Sequence, residues 1–323
     1  MQDETHKIIE SFAESCQKIH DELNNNNQQK TIYHYTNFDG LVGIIGSRKL
    51  RYTDYRYLND PTEIIYGQNL ICESILRSGI ENKYELEKKL RRLLKQINKD
   101  NYLYVACFSH DDDKLSLWRY YANNGTGFAI GFTEFQDIIP NGTIRESSLI
   151  SEVIYRKETT LDILKKFISQ YEIFMDRSRS AIIHDRDFFN KSMQVRLISN
   201  LLSFQPSLKD ESFADEHEVR LIRMEGELLI NPKTDQPFYF DDAIRDFIPF
   251  STPENIPFVT ATKGRKPVIY PEEFAHSAIN KIIVGPCCQF IEARTAIRSL
   301  LKNSGYEADK IAIEPAKVQY RNI

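Results

Sequence analysis

Three things are scarce in this chain, and each scarcity closes off a class of proteins. There are five cysteines in 323 residues, at positions 16, 72, 107, 287 and 288. The number is odd, no two are spaced as a metal clip, and Cys287 and Cys288 are adjacent. That argues against a disulfide scaffold and a cysteine-rich zinc site, and for reduced thiols in a reducing compartment. No apolar run approaches the roughly 20 residues that cross a bilayer. The N-terminus carries Asp3 and Glu4 and no apolar stretch of the signal-peptide kind, so a cytoplasmic protein with no membrane partner is expected. Charge of either sign is barely in excess: the net value is -4 and the pI about 6.0. This excludes a general attraction to nucleic acid or acidic lipid. The glycines form neither a G-x-x-x-x-G-K-[ST] loop nor a G-x-G-x-x-G turn after a strand, so both common nucleotide fingerprints are missing.

What is abundant is apolar and aromatic. Hydrophobic residues make up 41%, enough for a sizeable core, and 17 Tyr and 19 Phe stand against a single Trp. A tyrosine brings a flat apolar body with a polar tip, which suits clefts as well as cores. Ile8, Ile9, Phe12, Cys16, Ile19 and Leu23 recur at helical steps over residues 4–24, and a polar run to residue 29 reads as a linker. Beyond it, strands are predicted at 31–35, 50–53, 102–108, 128–132, 217–223, 258–262, 268–270 and 281–284. Asp60-Pro61-Thr62-Glu63 reads as a helix start, with Asp60 as cap, Pro61 in the first turn and Glu63 completing a capping box. Asp113 is expected to cap a short helix through Tyr121. The stretch 158–204 is helical, with Ile163, Leu164, Phe167, Ile168 and Tyr171 in register, and reads as an insertion packed on the strands. No internal repeat appears. The irregular alternation predicts an α+β fold: residues 1–29 as a helix with its linker, and 30–323 as one domain with a helical insert.

Three clusters can carry chemistry. His34 and Thr36, next to Tyr35, sit on the first buried strand. A strand core has no need of an imidazole, and burying one unpaired costs about 1–3 kcal/mol. A backbone-bonded core histidine and a ligand-gripping one both fit. Ser116, Trp118, Arg119 and Tyr121 precede a Gly-containing turn; Trp118 suits packing, and Arg119 either clamps a phosphate or snorkels to solvent. Glu216 and Glu218 lie two apart, on one face of an extended segment, and their crowding is expected to raise the pKa of one. Such a pair stabilises a developing cation or holds a hydroxyl proton; it equally describes a solvent-facing edge with Arg220 as counter-ion.

Taken in order, Tyr33-His34-Tyr35-Thr36, Leu58-Asn59-Asp60-Pro61-x-Glu63, Cys107-Phe108-Ser109, Leu115-Ser116-x-Trp118-Arg119-x-Tyr121-Ala122-x-x-Gly125-x-Gly127, Phe213-x-x-Glu216-x-Glu218-x-Arg220 and Ile282-x-Val284-Gly285-Pro286 resemble the domain-of-unknown-function 2971 family. That pattern is similar to the ADP-ribosyltransferase fold, with split mixed or antiparallel sheets and flanking helices. The resemblance implies NAD as substrate and no metal. It implies that His34 holds the adenosine-side ribose, that Tyr121 (with Tyr104 as the competing choice) lines the nicotinamide pocket, and that Glu218 bonds the ribose 2′-hydroxyl and stabilises an oxocarbenium-like transition state. Glu216 would orient the acceptor: a protein, nucleic acid or small molecule. Tyr35, Thr36, Ser116, Trp118 and Arg119 would complete the NAD site. Toxins and antiphage-defence effectors often work this way. Two other readings stay open. One is a metal-dependent phosphoesterase or nuclease using His110, Asp111 and Asp113 with His34. The other is a nucleotide-binding sensor without catalysis.

Overall fold

Local patterning accounts for most elements of the computed structural model, which describes residues 4–24, 31–58, 62–100, 102–133, 148–225, 258–261, 264–269 and 274–320. The order is α1 (Thr5–Asn24), β1 (Ile32–Thr36), α2 (Phe38–Ser47), β2 (Tyr52–Asp54), α3 (Glu63–Arg77), α4 (Lys83–Asp100), β3 (Tyr102–Ser109), α5 (Leu115–Tyr121), β4 (Phe128–Phe132) and β5 (Ser148–Glu152). Then follow α6 (Lys157–Ser178), α7 (Arg186–Ser203), β6 (Glu218–Glu225), β7 (Phe258–Ala261), β8 (Gly264–Ile269), β9 (Ile279–Val284), α8 (Phe290–Asn303) and β10 (Ala312–Pro315). Residues 25–29 and 59–61, read above as linker and helix cap, lie outside the described residues. The fold is α+β: a mixed open sheet with flanking helices. Among the described residues no helix is long and apolar enough to cross a membrane.

Among the described residues the helical insert packs mainly on other helices, where packing on the strands was expected. Its helices α6 and α7 join α1, α3 and α4 in a separate core, in which Phe12, Ile71, Leu90, Phe167 and Phe189 are fully buried. The reason is reciprocal patterning. The stripe Ile163, Leu164, Phe167, Ile168 and Tyr171 of α6 meets the stripe of α1, and Phe12 sits edge-on to Tyr171 (6.2 Å) and Phe174 (5.7 Å). Each such side chain contributes about 1.5–3 kcal/mol on burial. A second core holds one face of the sheet under α2 and α8, through Leu41, Ile45, Ile297 and Leu301.

Among the described residues the sheet has ten strands. Its path is β10-β9-β4-β1-β3-β2-β8-β7, with β6 and then β5 branching from β3. Every pairing is antiparallel except β9 with β10. The branch is what opens the molecule. β6 covers one edge of β3 along its whole length, from Tyr102↔Glu225 to Ser109↔Glu218. A strand has only two edges, so β1 and β2 must share the other. β2 takes Tyr104 and Val105, and β1 reaches β3 only at Ser109. Residues 106–108 are left without a strand partner on that edge, and the sheet splits there.

Glycine is required where the chain turns back toward this split. After α5 the residues Asn123, Asn124 and Gly125 all have positive φ (48°, 52° and 81°), and Gly127 passes so close to Thr36 that a Cβ would lie 2.3 Å from its carbonyl oxygen. The helix starts differ from expectation. Thr62 occupies the N-cap of α3 but its side chain does not cap the helix, and Glu63 turns inward. At α5 the N-cap is Lys114, while Asp113 accepts from Trp118 Nε1 (2.7 Å) and from the backbone N–H groups of Lys317 (2.5 Å) and Val318 (2.9 Å). Asp113 ties α5 to the C-terminal segment instead of capping it.

Candidate functional site

The split in the sheet is a cavity of about 250 Å³. Tyr33, His34 and Tyr35 of β1 form one wall, and the uncovered edge of β3 forms the facing one. Leu117 and Tyr121 of α5 close a side. The floor consists of Glu63, Lys209, Glu216, Glu218 and Arg220.

His34 bridges the gap. Its Nδ1 lies 2.9 Å from the carbonyl oxygen of Cys107, on the stretch of β3 that neither β1 nor β2 covers. A carbonyl only accepts, so Nδ1 is the protonated nitrogen. Burial lowers the histidine's pKa, against the opposing effect of that bond, so the ring is neutral. Nε2 then carries a lone pair, and the half-buried ring offers the cavity an acceptor. Of the two sequence readings of His34, the backbone-bonded one is met, and the ring also lines the cavity. Tyr35 presents its ring, because its hydroxyl donates to the Asp111 carbonyl (3.0 Å) and accepts from Lys114 N–H (3.3 Å).

Glu216 and Glu218 meet on the floor by a different route from strand alternation. Glu216 ends a 3-10 segment (Glu211–Glu216), His217 is left-handed at φ 42°, and β6 begins at Glu218. The expected repulsion is cancelled by Lys209, whose Nζ donates to Glu216 Oε2 (2.5 Å) and Glu218 Oε2 (2.9 Å). Arg220, two residues along β6, grips Glu218 through Nε to Oε1 (2.8 Å) and Nη2 to Oε2 (2.9 Å). It also donates to the Pro206 carbonyl (2.6 Å) and forms an ion pair with Glu63 Oε1, a contact outside hydrogen-bond geometry. The pKa correction follows. Burial alone raises Glu218, but Arg220 and then Lys209 outweigh it and hold the carboxyl down at about 2. The raised carboxyl is Glu63, where burial outweighs Arg220. Arg220 is a counter-ion as the sequence suggested, but at 2% exposure it belongs to no solvent-facing edge.

Tyr121 joins the floor by donating from its hydroxyl to Glu216 Oε1 (2.7 Å). Ser116 does the same one level out, to Asp215 Oδ2 (2.6 Å), and ties α5 to the 3-10 segment without lining the cavity. The other candidates point elsewhere. Thr36 faces Gly40 at the start of α2. Trp118 is fully buried with Tyr35 edge-on to it at 4.9 Å. Arg119 is exposed, and Tyr104 sits in the core under α2 because it alternates away from Val105 and Cys107. Nor do His110, Asp111 and Asp113 converge with His34. His110 pairs with Glu152 (3.1 Å), Asp111 with Lys114 (3.1 Å) and His217 (2.9 Å), and Asp113 is engaged as described. Among the described residues no three His, Cys, Asp or Glu side chains are grouped to hold a metal ion.

Sequence reasoning missed Lys209 and Glu63 as floor residues. Nothing around Ser207-Leu208-Lys209-Asp210 marks a lysine for burial. For Arg220 a signal existed. Glu218 and Arg220 alternate with apolar Val219 and Leu221, so on a strand they share one face and suit each other as an ion pair.

Residues 117–221 match the family model described as Protein of unknown function (DUF2971). That span carries Leu117, Tyr121, Lys209, Glu216, Glu218 and Arg220, hence one side of the cavity and all of its floor except Glu63. The motifs at 33–36 and 282–286 lie outside it. No curated protein and no solved structure matches the chain.

Proposed function

We propose that the cavity binds NAD and that the chain is an ADP-ribosyltransferase or NAD glycohydrolase of ADP-ribosyltransferase-like fold. One observation carries the reading. An imidazole from β1, a phenol from α5 and a carboxylate from β6 line a single cavity at a split in a mixed sheet. The volume is just below the usual range for ligand pockets, about 300–1,000 Å³, and suits a ring with its sugar more than a whole dinucleotide. The nicotinamide end would enter, and the rest would lie along the mouth.

The chemistry follows from the charges. Breaking the glycosidic bond sends its electron pair to the nicotinamide nitrogen, so neutral nicotinamide leaves and positive charge builds on the ribose. Glu218, locked as an anion, stabilises that charge as a fixed dipole partner and not as a proton donor. His34 Nε2 accepts from a ribose hydroxyl. The acceptor nucleophile bonds to the anomeric carbon and passes its proton to the Glu216 carboxylate, which returns it to solvent; with water as acceptor the outcome is hydrolysis. Aromatic walls from Tyr33, Tyr35, Phe108 and Tyr121 limit water and favour transfer.

The test is incubation of the purified chain with NAD labelled in the ADP-ribose part, with protein, RNA, DNA and water as acceptors. Nicotinamide release is expected, and Glu218→Gln is expected to reduce it by about 10²-fold or more. No release and no transfer, or full activity in that variant, sinks the proposal. A second reading has its own support: both Glu218 oxygens are engaged and its side chain is 5% exposed, which suits a nucleotide-binding module without turnover. NAD binding without nicotinamide release would decide for it.

A further inference from the structure

Lys209 is a buried ammonium among acids, with a side chain only 6% exposed. Besides its bonds to Glu216 and Glu218, Nζ lies 4.0 Å from Glu63 Oε2 and 4.9 Å from the centre of the Phe213 ring. Its backbone is anchored independently. The neighbouring Leu208 bridges to Ile154, and Lys209 N–H donates to the Ile154 carbonyl (3.2 Å). The two carboxylates that it joins belong to different elements, separated by the left-handed His217. Glu218 is already held by the Arg220 fork, while Glu216, among the described residues, has Tyr121 on its other oxygen. The contacts form a chain from α5 to β6: Tyr121, Glu216, Lys209, Glu218, Arg220. Two carboxylates this close repel, and a cation between them lets both stay charged and still.

We infer that Lys209 is the positioning residue of this site, fixing Glu216 and with it Tyr121 against the Glu218–Arg220 pair. Its catalytic consequence rests on the NAD reading; the clamp itself does not. Arg220 alone is too far along β6 to do this, since it makes no bond to Glu216 among those of the described residues.

The ionisable groups that face the clamp are Glu63 from α3, Cys107 from β3, Tyr121 from α5, Tyr155 from the segment before α6, and Glu216, Glu218 and Arg220. The experiment reads carboxyl titration by carbon-13 NMR of glutamate-labelled full chain, with Glu216→Gln and Glu218→Gln for assignment. In Lys209→Met, Glu216 or Glu218 is expected to take up its proton about 1–3 pH units higher than in the unaltered chain. Lys209→Arg is expected to keep both close to their original positions. An unchanged titration in Lys209→Met overturns the inference. If that variant does not fold, a measurement on the unaltered chain decides. The unaltered chain supplies a check without any variant: the Lys209 ammonium should give a nitrogen-15 signal shielded from water exchange, and exchange as fast as that of exposed lysines overturns the clamp.

None of these readouts uses NAD. An inert chain with the titration shift sinks the activity and leaves the clamp; an active chain without the shift sinks the clamp alone. Given turnover, Lys209→Met is expected to lower kcat by about 10–100-fold, the range for groups that orient a functional side chain, with KM little changed. An effect confined to KM counts against a positioning role.

Discussion

The helical core around Phe12, Phe167 and Phe189 and the cavity floor around Glu218 and Arg220 are comparably dry, yet the first is built mainly from apolar side chains and the second from ions. In the first, stability grows with every methylene removed from water. In the second, each ion loses hydration at a cost of several kcal/mol, which is offset only if its partners are well placed, and apolar residues of the same volume would serve stability as well or better. The floor nevertheless engages Glu63, Lys209, Glu216, Glu218 and Arg220 with one another. Fold stability explains the helical core and does not explain the floor, which is what makes the floor the candidate site.

The largest expected effect breaks the ionic side of this contrast. Arg220→Met strands Glu218 and Glu63 in the interior and is expected to cost about 3–5 kcal/mol in urea denaturation. Pairing it with Glu218→Met is expected to recover a good part of that loss. A single-variant cost below about 1 kcal/mol would remove the contrast. On the apolar side, Leu197→Ala in α7 leaves a cavity among fully buried neighbours and is expected to cost about 2–5 kcal/mol. The His34 ring signals should stay where they are; if they move, the two regions are not separable.

A subtler effect is pH dependence, because each region contains one histidine with a lowered pKa. His20, stacked on Phe204 at 4.9 Å and bonded to Asn200 (3.0 Å), is lowered by burial, as is His34. Their folded pKa values lie below the unfolded value near 6.5, so the unfolded chain binds more protons. Their contribution is complete above about pH 6.5 and is lost as pH falls from there toward the folded values. Glu218 adds no slope in that window. Its folded pKa of about 2 is below its unfolded one, so its contribution is lost only as pH falls below about 4.3. Glu63, raised by burial, acts in the opposite sense, so the test is a difference: from pH 7 to 5, His20→Phe and His34→Asn should each lose less melting temperature than the parent chain. An unaltered slope in both variants would show that neither ring is held neutral. The smallest effect is expected at Arg119→Ala, on the exposed side of α5: a stability change within about 0.5 kcal/mol and the same NAD behaviour as the parent chain.

How much was legible can be judged from particular residues. The helix Phe38–Ser47 and the strand Phe128–Phe132 follow directly from local patterning, because a helix or strand repeats its buried face at a short fixed period. The insert was legible as helix but not in its partners. A stripe such as Ile163 to Tyr171 says that something apolar must cover it, not whether a strand or α1 will. At the site, His34, Tyr121 and Glu218 could be singled out by residue type. Tyr104, the competing choice to Tyr121, faces away, and Trp118 packs in a core as its residue type suggested, since facing depends on which neighbours a strand or short helix acquires.

The chain's order of residues, then, was enough to determine where its helices and strands lie, that the fold is α+β, and that an imidazole and a pair of acids call for an explanation. Tertiary structure alone decided three things. Two strands share one edge of β3 and leave the Cys107 carbonyl to His34. The Glu216–Glu218 pair is neutralised where repulsion was expected. And Glu63, far earlier in the chain, becomes part of the same floor. The physical reason is range. Hydrophobic periodicity acts over a few residues and is written locally, whereas a buried charge takes its state from whatever folding carries to within a few ångströms of it, at any distance along the chain.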